Sequence, residues 1–140
     1  HGLDLVTGAR TPIAPEGTEA SALAIGLDGR RVAYGRRDGR IVCHDWDGAH
    51  VVDWPAHATA ITGLAFAPDG LLMSTGADEL AHVWDLAVLS RRRRGALASY
   101  RAEHELTCCA ALPALRFAVG DEAGRVHLLR LRGRGAGVGA

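Results

Sequence analysis

The sequence predicts an all-β chain assembled from repeated four-stranded antiparallel sheets. Three observations predict it. Short apolar or β-branched runs are cut by Asp-Gly, Pro-Asp-Gly and Gly-acidic turns, the punctuation of strands joined by tight connections. The pattern also returns at a fixed distance: Asp28-Gly29 recurs as Asp69-Gly70 and Gly35 as Gly76, each 41 residues on, and Gly76 recurs as Gly120, 44 residues on. Each recurring glycine is followed by a polar turn and then a short strand, Arg40 to Trp46, Leu80 to Asp85 and Arg125 to Leu131. A period of roughly 40–45 residues with about four strands per unit is that of β-propeller blades.

Taken in order, residues 1–14 read as the tail of a preceding blade, with Thr7 to Ala14 as its outer strand. The first full unit, about 16–54, contains ALAIGLDGRRVAYGRRDGRIVCHDWDG and keeps both Asp-Gly turns. The middle unit, 57–101, is the most complete. Ile61 to Ala67 is a strand, Pro68-Asp69-Gly70 a turn, and Leu71 to Thr75 a second strand. Gly76 to Glu79 turns the chain into a third strand ending at Trp84-Asp85, and Gly95 to Arg101 is the fourth. The third unit, 103–132, opens with ELTCCAAL, read as an innermost strand buried on both sides, and ends near Arg132 without an outer strand. Residues 133–140 are a Gly-rich tail with the composition of disorder.

These units resemble the WD-repeat β-propeller family. Ala56-His57 stands where that family has Gly-His, Leu64 to Gly70 (LAFAPDG) is similar to its inner-strand-and-turn segment, and His82 to Leu86 (HVWDL) carries its Trp-Asp ending. In the first unit Trp46-Asp47 or His44-Asp45 takes the Trp-Asp place; in the third, Leu129-Arg130 replaces it. The resemblance implies strands a to d in each blade, with Trp-Asp closing strand c. It also implies a structural tetrad in the middle unit: the Trp84 indole to the Thr75 hydroxyl, on to His57, and then to Asp78. Tyr34 falls at the Thr75 place in the first unit and Val119 in the third, so the outer units are expected to rely on apolar packing alone.

A Ser/Thr-His-Asp set has the members of a hydrolytic triad, but a hydroxyl tied to an indole inside a blade is no nucleophile. Cys43 and His44 are neighbours on one strand and point to opposite faces, which excludes a thiol-base pair. Seven histidines are scattered without metal-ligand spacing, and the glycines lie in turns rather than in a phosphate-binding strand-loop-helix. No cofactor and no metal is expected, and the chain reads as a non-enzyme.

Arg and acidic residues balance at 16 each, so no net field draws the chain to nucleic acid or an anionic membrane. All the basic residues are Arg and there is no Lys, Asn or Gln, the mark of a GC-rich coding sequence and a bacterial source. Three cysteines without paired spacing suit a reducing, cytoplasmic setting. His1 is not an initiator methionine, which points to further sequence upstream.

The resemblance implies a protein-protein interaction scaffold whose partners dock on the face carrying the d–a and b–c loops. That face is expected to display Glu16, Glu19, Arg36, Arg37, Trp54, Glu79, Glu103, Asp121 and Glu122. Trp54, an aromatic before Pro55, has the profile of an interface anchor and equally that of a residue packed between two blades. Arg91, Arg92, Arg93 and Arg94 form a basic loop, read first as a solvated insertion and second as a contact for an acidic partner or a nucleic-acid backbone. Three blades are too few to close a ring, since about four to eight are typical. The preferred reading is the C-terminal part of a larger propeller, resembling the sensor regions of bacterial signalling proteins; the other is a six-bladed ring closed by two copies.

Overall fold

A computed structural model describes residues 2–3, 10–11, 20–26, 29–46, 52–68, 70–86 and 95–131. Strands β1 (Gly2–Leu3) and β2 (Arg10–Thr11) pair with each other in a two-stranded sheet. Arg10 and Thr11 belong to the outer strand expected over Thr7 to Ala14, and the remainder of that segment lies outside the described residues.

Three larger sheets follow. The first has the order β3 (Ala20–Ile25), β4 (Arg31–Arg36), β5 (Arg40–Asp45), β6 (Val52–Pro55). The middle has β7 (Ile61–Phe66), β8 (Leu72–Gly76), β9 (Leu80–Trp84), β10 (Ala98–Arg101). The third has β11 (Leu106–Leu112), β12 (Arg116–Asp121) and β13 (Val126–Arg130), with no fourth strand among the described residues. All pairings are antiparallel between sequence neighbours. The expected turns are observed, with Gly29, Gly39, Gly70 and Gly124 all at positive φ. The matched glycines Gly35, Gly76 and Gly120 lie in strands, and register corrects their equivalence by one residue: Gly35 and Gly120 are level with Thr75, not with Gly76.

Register settles the place that the sequence left open in the first sheet. Thr75 faces Ala81 and Leu72 faces Trp84 in the middle sheet, while Gly35 faces Ile41 and Val32 faces His44 in the first. His44 therefore takes the Trp84 place; Trp46 lies beyond the strand and is 51% exposed.

Each sheet has a forward side towards the next and a back side towards the one before, and period-two alternation sorts the side chains between them. Ala33, Ile41 and Cys43 face forward from the first sheet and meet Ile61, Leu64, Phe66, Leu72 and Trp84 of the middle one. Met73, Ala81 and Val83 face forward in turn and meet Leu106, Phe117 and Val119 of the third. The inner strands β3, β7 and β11 lie side by side and carry most of these contacts. Two seams, each one side chain deep, hold three sheets together.

Candidate functional site

The middle sheet holds a continuous chain of polar contacts. Trp84 Nε1 donates to Ser74 Oγ at 2.9 Å, and Ser74 Oγ lies 2.7 Å from His57 Nε2. His57 Nδ1 is 3.0 and 3.1 Å from the two oxygens of Asp78. Asp78 also accepts the backbone N–H groups of Ala58 and Leu80, which fastens the loop before β7 to the turn between β8 and β9. An indole N–H only donates and a carboxylate only accepts, so the hydrogens run one way along the chain. Ser74 gives its hydrogen to Nε2, and His57 holds its own on Nδ1.

The hydroxyl member is Ser74, which corrects the assignment to Thr75. The reason is parity. Ser74 faces His82 across the ladder and Leu72 faces Trp84, so Ser74, His82 and Trp84 share the back side. Thr75 faces Ala81 and looks forward, where its Oγ1 meets Thr62 Oγ1 at 3.0 Å and Thr62 donates to the Leu106 carbonyl at 2.6 Å. Thr75 thus belongs to the seam with the third sheet.

Burial and charge fix the protonation of this cluster. Desolvation lowers the His57 pKa, against the opposing pull of Asp78. His82, whose ring centroid lies 4.7 Å from that of His57, is lowered to about 4 by burial and by the His57 charge it would face. Burial alone would raise the Asp78 carboxyl; the His57 hydrogen bond and charge, with the N–H groups of Leu80 and Ala58, outweigh it and hold Asp78 below the usual value. A histidine whose folded pKa lies below its unfolded value favours the fold while neutral, and that contribution is lost as pH falls from about 6.5. For Asp78 the loss begins lower, as pH falls through the ordinary carboxylate range, and has the same sign. The unfolding free energy from urea titrations is therefore expected to be flat above pH 7 and to drop between pH 6.5 and 4, at up to about 1.4 kcal/mol per pH unit for His57 and less for the half-buried His82, which solvent screens. An acid-insensitive value contradicts the assigned network.

The outer sheets differ from the expectation of apolar packing alone. In the third, His127 stands in register with His82, and its Nε2 lies 2.9 Å from Asp121 Oδ2. Its Nδ1 is 3.3 Å from the Tyr100 hydroxyl, across the seam on β10. The other oxygen of Asp121 accepts the N–H groups of Ala123 and Arg125, closing the turn. The His127 hydrogen bond, followed by that of Arg125 N–H, lowers the Asp121 pKa. In the first sheet Tyr34 takes the Ser74 place, with its ring edge-on to His44 at 6.2 Å.

Several expected surface residues are placed differently. Trp54 is 3% exposed and packs edge-on against Trp84 at 5.5 Å, so it is the residue between sheets and not a surface anchor. Its indole N–H is buried without a partner. Asp121 is buried in its own turn and is likewise removed from the docking face. Arg36, Arg37, Glu79, Glu103 and Glu122 lie at the loop end. Arg36 pairs with Asp38 at 2.8 Å, Glu79 with Arg101 at 3.6 Å, Glu103 with Arg125 at 3.7 Å, and Glu122 with His104 at 4.0 Å. Glu16, Glu19 and Arg91 to Arg94 lie outside the described residues.

Cys43 is buried in the first seam, its thiol pushed up to about 11 mainly by desolvation, with His44 on the opposite side of the strand. Cys108 is exposed and Cys109 half-buried, so the inner strand expected to be covered on both sides is covered on one. A cleft of about 260 Å³ opens between the middle and third sheets, lined by Met73, Val83, Tyr100, Phe117 and Leu129 among others. Its lining is dominated by apolar side chains. Among the described residues no His, Cys, Asp and Glu converge as a metal site.

Two four-stranded antiparallel sheets and a third with three described strands, joined through their inner strands, have the fold of β-propeller blades of the WD-repeat type, and the middle one carries the indole-hydroxyl-imidazole-carboxylate chain. The WD domain, G-beta repeat family matches residues 48–85, which end at Trp84-Asp85. The fold is similar to the β-propeller domain of Myceliophteria thermophila Cps50 (Swd1), at 20% identity and a TM-score of 0.71 over 84% of this chain. It is also similar to the WD40 repeats of RRP9, at 19% identity and a TM-score of 0.79 over 92% of this chain. The chain spans 37% and 41% of the lengths of those two chains. No curated protein matches the sequence.

Proposed function

We propose that this chain is a non-catalytic interaction module that presents its d–a and b–c loop end to another protein. The single observation behind this reading is how that end is built. Both d–a loops among the described residues are bonded to b–c turns: Ala56 and His57 N–H to the Gly39 carbonyl, Ala102 N–H to that of Glu79, and Glu122 N–H to that of Glu105. The backbone is thereby held as a platform, and the charges above it are exposed pairs. Such pairs contribute only about 0–1 kcal/mol each, so a partner's charges exchange with them at low cost. Platform rigidity with exchangeable surface charge suits recognition. The Ser-His-Asp trio does not compete with this reading, because Ser74 is fully buried and its oxygen already accepts the Trp84 indole.

By fold analogy the module is the recognition part of a signalling protein, with any catalysis in an attached domain, and its free thiols suit the cytoplasm. The test is affinity capture with the intact chain and with a Glu103→Lys, Glu122→Lys double variant. Proteins that bind the first and are lost from the second are expected. A captured set indifferent to both changes removes the docking face, and a turnover abolished by Ser74→Ala overturns the non-catalytic reading.

A further inference from the structure

Register makes the turns of the three blades comparable residue by residue. Gly35, Thr75 and Gly120 face Ile41, Ala81 and Val126 across turns of equal length. The two residues that follow are therefore level as well: Arg36-Arg37 in the first blade, Gly76-Ala77 in the middle and Asp121-Glu122 in the third. One place in the repeat thus passes from cationic through neutral to anionic. The d–a loops change in the same direction. Ala77 N–H donates to the Ala60 carbonyl and Glu122 N–H to the Glu105 carbonyl, so Ala58-Thr59-Ala60 is level with Glu103-His104-Glu105. The first of these loops is uncharged and the second is acidic.

The two signs are held differently. In the first blade the cations have close partners: Arg36 pairs with Asp38 at 2.8 Å and Arg40 with Asp53 at 2.8 Å. At the acidic end the contacts are longer, with Arg125 3.7 Å from Glu103 and His104 4.0 Å from Glu122. The Glu103 side chain is 85% exposed. Glu105 is exposed too and has no ion pair among the described residues. Asp121, buried and bonded to His127 and to its own turn, adds a further negative charge to this end. Carboxylates gathered in this way repel one another, and a cation placed among them relieves the repulsion. Blades meet through their seams and inner strands, so the loop end faces away from any neighbouring blade.

Resting on the docking-face reading, we propose that the loop end takes a protein segment of split charge. Its Lys or Arg side chains lie over Glu103, Glu105 and Glu122, and its acidic side chains over Arg36 and Arg37. The uncharged loop with the exposed Ala58 and Thr59 lies between the two. The basic half supplies most of the attraction, because it meets carboxylates with only long contacts. The acidic half meets guanidiniums already engaged at Arg36, whose remaining N–H donors can take a second carboxylate. That half fixes direction: a segment laid the other way brings like charges together at both ends. A nucleic-acid strand, anionic along its whole length, is repelled over the third blade, and a uniformly basic segment over the first.

Two fluorescent peptides titrated into the intact chain test this by anisotropy. One carries a block of Glu, a Gly-Ser spacer and a block of Arg; the other has the same composition with Glu and Arg alternating. The block peptide is expected to bind about tenfold more tightly at low salt. The preference is expected to vanish near 1 M salt, where screening acts over about 3 Å. Arg36→Gln with Arg37→Gln is expected to reduce the preference while leaving a polyarginine peptide bound at least as well. Equal binding of the two peptides overturns the proposal, and so does a polyarginine peptide or a DNA duplex that binds the unaltered chain more tightly than the block peptide. Captured proteins lost from the Glu103→Lys, Glu122→Lys variant beside equal peptide binding leave the docking face standing and remove only the split-charge partner. Capture indifferent to those two changes removes both.

Discussion

Ser74→Ala is expected to lower the unfolding free energy by about 2–5 kcal/mol, while Thr75→Val one residue on costs about 1 kcal/mol. Removing the Ser74 hydroxyl leaves the Trp84 indole N–H without an acceptor and His57 Nε2 without a donor, both in a buried setting. Each orphaned group costs about 1–3 kcal/mol, and water has no access with which to replace the partner. Thr75→Val keeps the branched shape and removes one contact of a hydroxyl whose neighbour Thr62 retains the Leu106 carbonyl. Chemical denaturation of the two variants, read by tryptophan fluorescence, makes the comparison. Equal losses, or a larger loss for Thr75→Val, would return the network to the place first expected for it.

Strand positions and turns were legible in the sequence because they rest on local chemistry: Asp-Gly and Gly-acidic turns fix where strands stop. The strand expected from Leu80 to Asp85 is β9, Leu80–Trp84, and the one expected from Ile61 is β7. The tetrad was legible in three of its four members. The fourth was misplaced by one residue, and in a strand one residue is the difference between two sides of a sheet. Counting in twos back from Trp84 to His82, then across to Ser74, was the signal that could have found it.

What stayed hidden depends on more than one blade. Asp121 and His127 are six residues apart and look unrelated until a tight turn folds one onto the other and Tyr100 closes over them from the middle blade. Trp54 was ambiguous for a similar reason. The tryptophan that makes an interface anchor also makes a seam between blades, and only the presence of Trp84 opposite decides which.

Gly39→Ala is expected to cost about 2–5 kcal/mol, and Gly124→Ala about 1–2 kcal/mol, although both glycines have nearly the same backbone conformation. Gly39 has φ +90° and Gly124 φ +85°. Positive φ alone cannot be decisive, because the corresponding turn of the middle blade holds Glu79 at φ 69°. Surroundings separate the two. A Cβ on Gly124 meets open space, whereas one on Gly39 overlaps the carbonyl oxygen of His57 and lies 2.9 Å from that of Thr59. Both obstacles are backbone, so no rotamer change relieves them. The loop from Ala56 to Thr59 must move, and with it the two N–H groups that donate to the Gly39 carbonyl and the imidazole that links Ser74 to Asp78. A substitution in the first blade is thus transmitted to the polar chain of the second through a single loop. Urea midpoints for the two variants are the direct measurement, and His57 ring resonances that shift in Gly39→Ala but not in Gly124→Ala are expected with them. Equal midpoints would mean that the d–a loop is free to yield, which its paired backbone bonds to Gly39 do not allow.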